Sequence, residues 1–152
     1  MADTILVTGA AGFVGSHLLT LLDSTTAVDA TLVAWRRPAG AGARPDQAPP
    51  RPAPAGDHVT WREVDLLDQQ AIRRAMEEIR PTQVYHCAGV ANVGASWSNS
   101  HTTLLTNVLG TEHLLGALRD HGASARVLIP GSALVYRPSG SALDETAPLG
   151  PV

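Results

Sequence analysis

The sequence predicts an α/β fold: a doubly wound parallel sheet of about five strands, incomplete because such sheets usually carry further strands. Two observations predict this class. Short apolar runs alternate with segments whose apolar residues recur at helical spacing, which is typical of parallel strands joined by helical crossovers. The first apolar run also leads into a glycine-rich turn that opens a helix. At 152 residues the chain is predicted to form one domain, residues 1–152, with its own core.

The first part of the chain is predicted to hold three strands and one helix. Apolar and β-branched runs predict the strands, and apolar residues three or four positions apart predict the helix. The strands are Thr4 to Thr8, Thr31 to Trp35 and Val59 to Val64, and the helix runs from Gly12 to Leu22. The buried face of this helix is expected to consist of Phe13, Leu18, Leu19 and Leu22.

The second part is predicted to hold two helices and two strands. Asp68 is expected to cap a helix that ends before Pro81. On its outer face Arg73/Glu77 and Arg74/Glu78 are spaced for ion pairs along the helix. The remaining elements are a strand from Val84 to Ala88, a helix from Thr102 to His121 closed by Gly122, and a strand from Arg126 to Ile129.

A proline-rich segment, residues 36–58, separates the second and third predicted strands. It contains six of the eleven prolines and almost no large apolar side chains. Such a segment cannot contribute to a core, so it is predicted to be a flexible surface insertion. Recognition of another protein through its prolines is the alternative.

Composition excludes several classes of function. The net charge of −3 and the lack of a basic stripe predict no nucleic-acid partner, and the apolar runs are too short to span a membrane. Cys87 is the only cysteine, which rules out an internal disulfide and suits the reducing cytoplasm. The six histidines show no ligand spacing, so no metal site is predicted.

The octapeptide TGAAGFVG, residues 8–15, predicts a dinucleotide site. Gly9 suits the tight turn after a strand, Gly12 admits a pyrophosphate close to the backbone, and Gly15 lets the helix pack on the sheet. The amides around Gly12, Phe13 and Val14 are expected to face the diphosphate, assisted by the helix dipole. A glycine-rich turn without a ligand is the alternative.

The end of the second predicted strand bears on which dinucleotide binds. NAD sites of this fold, the Rossmann fold, usually place an acid there to accept from the ribose 2′-OH. Here Arg36 and Arg37 stand at that place, and guanidinium groups bind phosphate in a forked geometry. The sequence therefore favours NADP over NAD. Two exposed arginines at the mouth of the insertion would be the alternative.

Five motifs follow one another along the chain. They are TGAAGFVG (8–15), DLLD (65–68), YHCAG (85–89), GSALVY (131–136) and DETAPL (144–149). In this order they resemble the extended short-chain dehydrogenase/reductase family, which holds nucleotide-sugar epimerases, dehydratases and reductases. Two further segments, residues 96–97 and 106–115, resemble the branch that acts on GDP-mannose and its keto-deoxy derivatives.

The resemblance implies roles for individual residues near the cofactor. Asp65 would accept from the adenine amino group beside the Leu66 backbone, and Ala88 and Gly89 would line the path to the nicotinamide ribose. Asn107 would act near the site, either as a structural residue or in catalysis. The diphosphate contacts would come from Gly9, Gly12, Phe13 and Val14, the 2′-phosphate contacts from Arg36 and Arg37.

The resemblance also implies a substrate site. Ser132 would be the catalytic hydroxyl that hydrogen-bonds the sugar oxygen changing between alcohol and ketone, while Asn92, Val93 and Ser96 would border the sugar. Dehydratases place a proton-transferring acid after this serine, whereas Ala133 and Leu134, which follow it here, cannot transfer a proton. A reductase or an epimerase acting on a nucleotide sugar, expected to be GDP-linked, therefore fits better, and relatives commonly form homodimers.

One expected feature of the family is missing from these residues. The acid/base of the family is the tyrosine of a Tyr-x-x-x-Lys motif, but all eleven basic residues here are arginine. Tyr85 and Tyr136, the only tyrosines, belong to other motifs. We expect the chain alone to bind NADP(H) without turnover. Three accounts remain: a fragment of a longer enzyme, a natural non-catalytic binding module, or half of a split enzyme.

Overall fold

The computed structural model describes residues 3–25, 30–39, 58–91, 93–121 and 124–150. Within these ranges five parallel strands form one sheet. The strands are β1 (Thr4–Thr8), β2 (Thr31–Arg36), β3 (Val59–Glu63), β4 (Gln83–His86) and β5 (Arg126–Leu128). The helices are α1 (Phe13–Thr25), α2 (Gln69–Ile79), α3 (Val93–Ser98), α4 (Ser100–Leu104) and α5 (Gly110–Asp120), with a π-helical turn over Leu105–Leu109 and a 3₁₀ turn over Ala133–Val135.

The strand order is β3-β2-β1-β4-β5 with every neighbouring pair parallel, which confirms the predicted doubly wound sheet. After β1 the chain adds β2 and then β3 on one side of β1, and it then adds β4 and β5 on the other side of β1. This reversal places the carboxyl ends of β1 and β4 next to each other, where sheets of this class bind their ligands. No helix among the described residues is long and apolar enough to span a membrane.

Two apolar layers cover the two faces of the sheet. One packs alternate strand residues such as Leu6, Val33 and Val84 against α2 and α5. The other packs Val7 and Ala34 against α1. Side chains of consecutive strand residues point to opposite faces, so β1 and β2, whose residues are mostly buried, are covered on both sides and read as continuous apolar runs.

The predicted helices differ from the observed ones in three respects. The predicted helix from Thr102 to His121 is a longer helical region, Ser100 to Asp120, interrupted by the π-helical turn. Helix α1 runs to Thr25 rather than to Leu22, and Phe13, expected on its buried face, is 80% exposed. As the first helical residue it projects beyond the sheet, where its ring contacts that of His17 edge-on at a centroid distance of 4.9 Å.

The cap of α2 is confirmed: Asp68 Oδ1 accepts from the Ala71 amide at 2.9 Å. The ion pairs expected along its outer face are replaced by pairs to other elements. Arg73 lies 3.1 Å from Asp120 at the end of α5, and Glu78 pairs with Arg62 of β3. Gly122 and nearly all of the proline-rich segment, residues 40–57, lie outside the described residues, so the predictions made for them stay predictions.

Candidate functional site

The candidate site is the crevice between the turn after β1 and the segment after β4. Gly9 begins the turn and Ala88 lies two residues beyond β4. A Cβ built on Gly9 would lie 2.6 Å from both the amide nitrogen and the Cα of Ala88. The two segments therefore pack backbone against backbone, which places predicted diphosphate contacts beside predicted nicotinamide-ribose contacts.

The glycines of the octapeptide have different structural tasks. Gly9 has a φ of +63°, a left-handed conformation that residues with a Cβ rarely adopt. Gly12 donates its amide to the Gly9 carbonyl oxygen at 2.9 Å and so closes the turn. Gly15 is buried, and a Cβ there would run into the Gly9 carbonyl. These contacts hold the first turn of α1 directly against the end of β1, as the sequence predicted.

The first turn of α1 presents backbone donors to the crevice. The Ser16 amide donates to the Gly12 carbonyl at 2.9 Å, so the amides of Phe13, Val14 and Gly15 come before the first amide that donates within the helix. The positive end of the helix dipole lies at the same place, and this turn contains no acidic residue. Donors beside a turn made only of glycine and alanine fit the diphosphate of a dinucleotide.

A chain of hydrogen bonds through buried His86, which the sequence reasoning missed, connects β1 and β4 to α5 beside the crevice. His86 is 3% exposed and lies between Thr8 Oγ1, 2.7 Å from its Nδ1, and Thr111 Oγ1, 2.9 Å from its Nε2. Burial lowers the pKa of His86 from its ordinary value, which favours the neutral ring. Because the Thr111 hydroxyl donates to the Asn107 carbonyl at 2.7 Å, Nε2 carries the proton and Nδ1 accepts from Thr8.

Asn107, in the π-helical turn, binds the segment after β4 through two hydrogen bonds to Val90. Its Oδ1 accepts from the Val90 amide at 2.7 Å, and its Nδ2 donates to the Val90 carbonyl at 3.1 Å. Gly89 passes close by, since a Cβ on it would lie 3.2 Å from Asn107 Oδ1. Of the two roles left open for Asn107, these contacts support the structural one, because they occupy both ends of its amide group.

Asp65 and Leu66 form a turn immediately beyond β3. Asp65 Oδ1 accepts from the Leu67 amide at 3.0 Å, and the Asp65 carbonyl accepts from the Asp68 amide at 3.1 Å. Leu66 is buried, and its carbonyl lies 2.9 Å from Nδ1 of His113 on α5. This turn therefore has a fixed position at the carboxyl edge of the sheet, where the adenine contact is predicted.

Arg36 has a partner that the sequence reasoning did not foresee. Its Nη2 lies 2.9 Å from Oε1 of Glu63, and the two residues are neighbours in the register of β2 and β3. Arg37, the next residue, is exposed. The cationic end of β2 is thus accompanied by a carboxylate from the adjacent strand.

The predicted substrate side is described only in part. Ser132 follows β5 and is exposed, and its Oγ accepts from the Leu134 amide at 3.2 Å. Asn92 lies outside the described residues, whereas Val93 and Ser96 belong to α3 but their side chains are not among those described. Within the described part of the chain, no group of three or more acidic, histidine or cysteine side chains could hold a metal ion.

The comparisons with known proteins agree with this geometry. The sequence matches the NAD dependent epimerase/dehydratase family over residues 5–152. Human UDP-glucose 4-epimerase is 34% identical over 155 residues, which cover 99% of this chain and 43% of the relative. A dTDP-4-dehydro-6-deoxy-D-allose reductase from Streptomyces bikiniensis is 32% identical over 145 residues, 93% of this chain and 42% of the relative.

Solved structures give the same picture. UDP-glucose 4-epimerase from Thermus thermophilus, in complex with NAD, is 30% identical with a TM-score of 0.71, and the match covers 97% of this chain and 44% of that one. The Brucella ovis UDP-glucose 4-epimerase, also in complex with NAD, is 28% identical with a TM-score of 0.75 and coverages of 99% and 42%. This chain therefore spans less than half the length of these relatives.

These relatives test the resemblance at two levels. The wider resemblance to nucleotide-sugar epimerases, dehydratases and reductases is confirmed. The narrower resemblance to a branch acting on GDP-linked sugars is not supported, since the names of these relatives refer to UDP- and dTDP-linked sugars. The match extends over nearly the whole chain and coincides with a sheet whose crevice fits a dinucleotide. The chain belongs to the NAD dependent epimerase/dehydratase family.

Proposed function

We propose that this chain forms the dinucleotide-binding part of a nucleotide-sugar epimerase, with NAD as its cofactor and a UDP-linked hexose as the substrate of the whole protein. The observation that carries the proposal is the turn at Gly9. Its left-handed backbone and its contact with Ala88 leave no space for a side chain. Together with the donors of α1, this geometry suits a diphosphate bridging two nucleosides.

NAD is preferred in this proposal to the NADP predicted from Arg36 and Arg37. Two observations support the preference. The epimerases from Thermus thermophilus and Brucella ovis are complexes with NAD. In this chain Arg36 is already ion-paired with Glu63, so its charge is compensated before any ligand binds.

In this proposal the residues of this chain have separate roles in binding the nucleotide and the sugar. When bound, NAD would supply the acceptor for a hydride from the sugar and the donor that returns it. The turn at Gly12 and the amides of Phe13 and Val14 hold the diphosphate, and Asn107 fixes the segment that borders the nicotinamide ribose. The Ser132 hydroxyl would hydrogen-bond the sugar oxygen whose carbon is oxidised and reduced.

Turnover is proposed only for a protein that also supplies the acid/base pair of the family. These 152 residues contain no lysine, so they cannot provide a Tyr-x-x-x-Lys motif. The property proposed for them is binding. A reductase is the second candidate, supported by the similarity to the Streptomyces bikiniensis enzyme and by Ser132, which suits either reaction. An epimerase needs its nucleotide in catalytic amounts, whereas a reductase consumes one reduced nucleotide per turnover.

The test is calorimetric titration of the purified protein with NAD⁺ and with NADH. Gly12→Ala is the informative variant, because its Cβ would lie 3.1 Å from the Gly9 carbonyl, at the predicted diphosphate site. Gly140→Ala is the matched control, because a Cβ there meets nothing within 4 Å. We expect the first variant to lose about tenfold or more in affinity, since it obstructs close approach to the backbone, and the control to bind like the wild type.

Two results would contradict the proposal. A wild-type protein that binds neither form of the nucleotide would remove the proposed function itself. Equal affinity of the wild type and Gly12→Ala would show that the diphosphate does not bind at this turn. Thermal melting of both variants checks that each one is folded.

A further inference from the structure

The ends of β2 and β3 carry an ion pair that the binding of NAD does not itself require. Arg36 is the last residue of β2 and Glu63 the last residue of β3, and the parallel register sets them side by side. Arg36 Nη2 lies 2.9 Å from Glu63 Oε1, and each side chain is about half exposed. The pair therefore reaches solvent at the carboxyl edge of the sheet.

This position is where sheets of this class distinguish the two dinucleotides. An acid near the end of the second strand accepts from the ribose 2′-OH of NAD, whereas an arginine accommodates the 2′-phosphate of NADP. β2 ends at Arg36, Arg37 follows it, and β2 contains no acid of its own. Glu63 supplies a carboxylate beside the same position, from the adjacent strand.

We propose that Glu63 determines the preference for NAD by competing with the 2′-phosphate for Arg36, an inference that rests on the proposed function. A guanidinium that donates to a carboxylate must give up or share that bond before it forms a forked pair with a phosphate. The carboxylate also repels the phosphate, which carries more charge than a single carboxylate does. The neutral 2′-OH of NAD experiences neither effect.

The experiment is calorimetric titration of NAD⁺ and NADP⁺ into the wild type, Glu63→Gln and the double variant Glu63→Gln/Arg36→Gln. Glutamine keeps the size of the side chain and removes its charge. We expect Glu63→Gln to raise the affinity for NADP⁺ by about tenfold and to change the affinity for NAD⁺ by less than about threefold, because only NADP⁺ places a 2′-phosphate beside this charge. The double variant should lose the gain, because Glu63 acts through Arg36.

Glu78→Gln is the matched control. Glu78 is also exposed and ion-paired, to Arg62, but it belongs to α2 rather than to the end of a strand. The control removes the same charge, so a general effect of net charge on NADP⁺ binding would appear in both variants. We expect no change in the ratio of the two affinities for Glu78→Gln.

The outcomes separate this inference from the proposed function. If the wild type binds NAD⁺ and Glu63→Gln leaves the ratio of the affinities unchanged, the role of Glu63 is refuted while the NAD site stands. A wild type that prefers NADP⁺ would also refute it, since Arg36 would then be available despite Glu63. A gain that persists in the double variant refutes the competition for Arg36. Failure of the wild type to bind either nucleotide would remove both the proposed function and this inference.

Discussion

The Gly9→Ala substitution tests the packing of the crevice directly, because two independent costs act at one atom. The φ of +63° costs an alanine about 1–2 kcal/mol relative to its right-handed conformations. The new Cβ would also lie 2.6 Å from two backbone atoms of Ala88, and overpacking of this kind costs about 1–3 kcal/mol. The strain at φ and the contact with Ala88 involve different neighbouring atoms, and backbone cannot turn aside as a flexible side chain can, so we sum the two costs and expect a loss of about 2–5 kcal/mol.

This loss is large against the total stability of a domain, which is typically about 5–15 kcal/mol. Equilibrium denaturation in urea, followed by far-ultraviolet circular dichroism, measures it for Gly9→Ala and for the control Gly140→Ala. The control is expected to stay within about 0.5 kcal/mol of the wild type, as for exposed sites generally. A Gly9→Ala protein within about 1 kcal/mol of the wild type would refute the close contact between the turn and the segment after β4.

Two further predictions concern stability. The pKa of buried His86 lies below its ordinary value of 6.5, so the unfolded chain binds the proton more readily than the folded chain does. The free energy of unfolding should therefore be highest above pH 6.5 and should fall as the pH is lowered from 6.5 towards the pKa of the folded state. Urea denaturation between pH 7.5 and pH 5.5 (about the range in which histidine titrates) should show this slope in the wild type and in the exposed-site control His101→Gln; its persistence in His86→Gln would contradict the assignment. Asp68→Ala should cost about 1 kcal/mol by removing the cap bond to the Ala71 amide, whereas Asp68→Asn should cost less; equal stability of the two variants would contradict the cap.

Local patterns explain why much of the fold could be predicted. Thr4–Thr8 is an apolar run followed by glycine, and Asp68 precedes a helical pattern that stops before Pro81, so the signals for both elements lie within a few residues. The glycine spacing likewise predicted the turn and its amide donors, because every contact among Gly9, Gly12 and Gly15 is local. The fold class followed from the alternation of such elements.

The features that could not be predicted depend on contacts between distant parts of the chain. Glu63 meets Arg36 only because β3 pairs with β2 in one register, and 27 positions separate the two residues. His86 joins Thr8 and Thr111 across 78 and 25 positions, respectively. Periodicity misplaced Phe13 because a helical pattern does not tell which turn extends past the sheet. The local geometry of the glycine turn could therefore be predicted from sequence, whereas these distant partners required the packed sheet.

The distance along the chain between the two walls of the crevice has a consequence for folding. The bond between Thr8 and His86 closes a loop of 78 positions, whereas the helices close through contacts a few residues apart. Loop closure over such a span is entropically costly, and contacts of this kind slow folding. The crevice is therefore complete only after β1 and β4 have met, and a nucleotide bound there, as we propose, would stabilise the assembled sheet against unfolding rather than one turn alone.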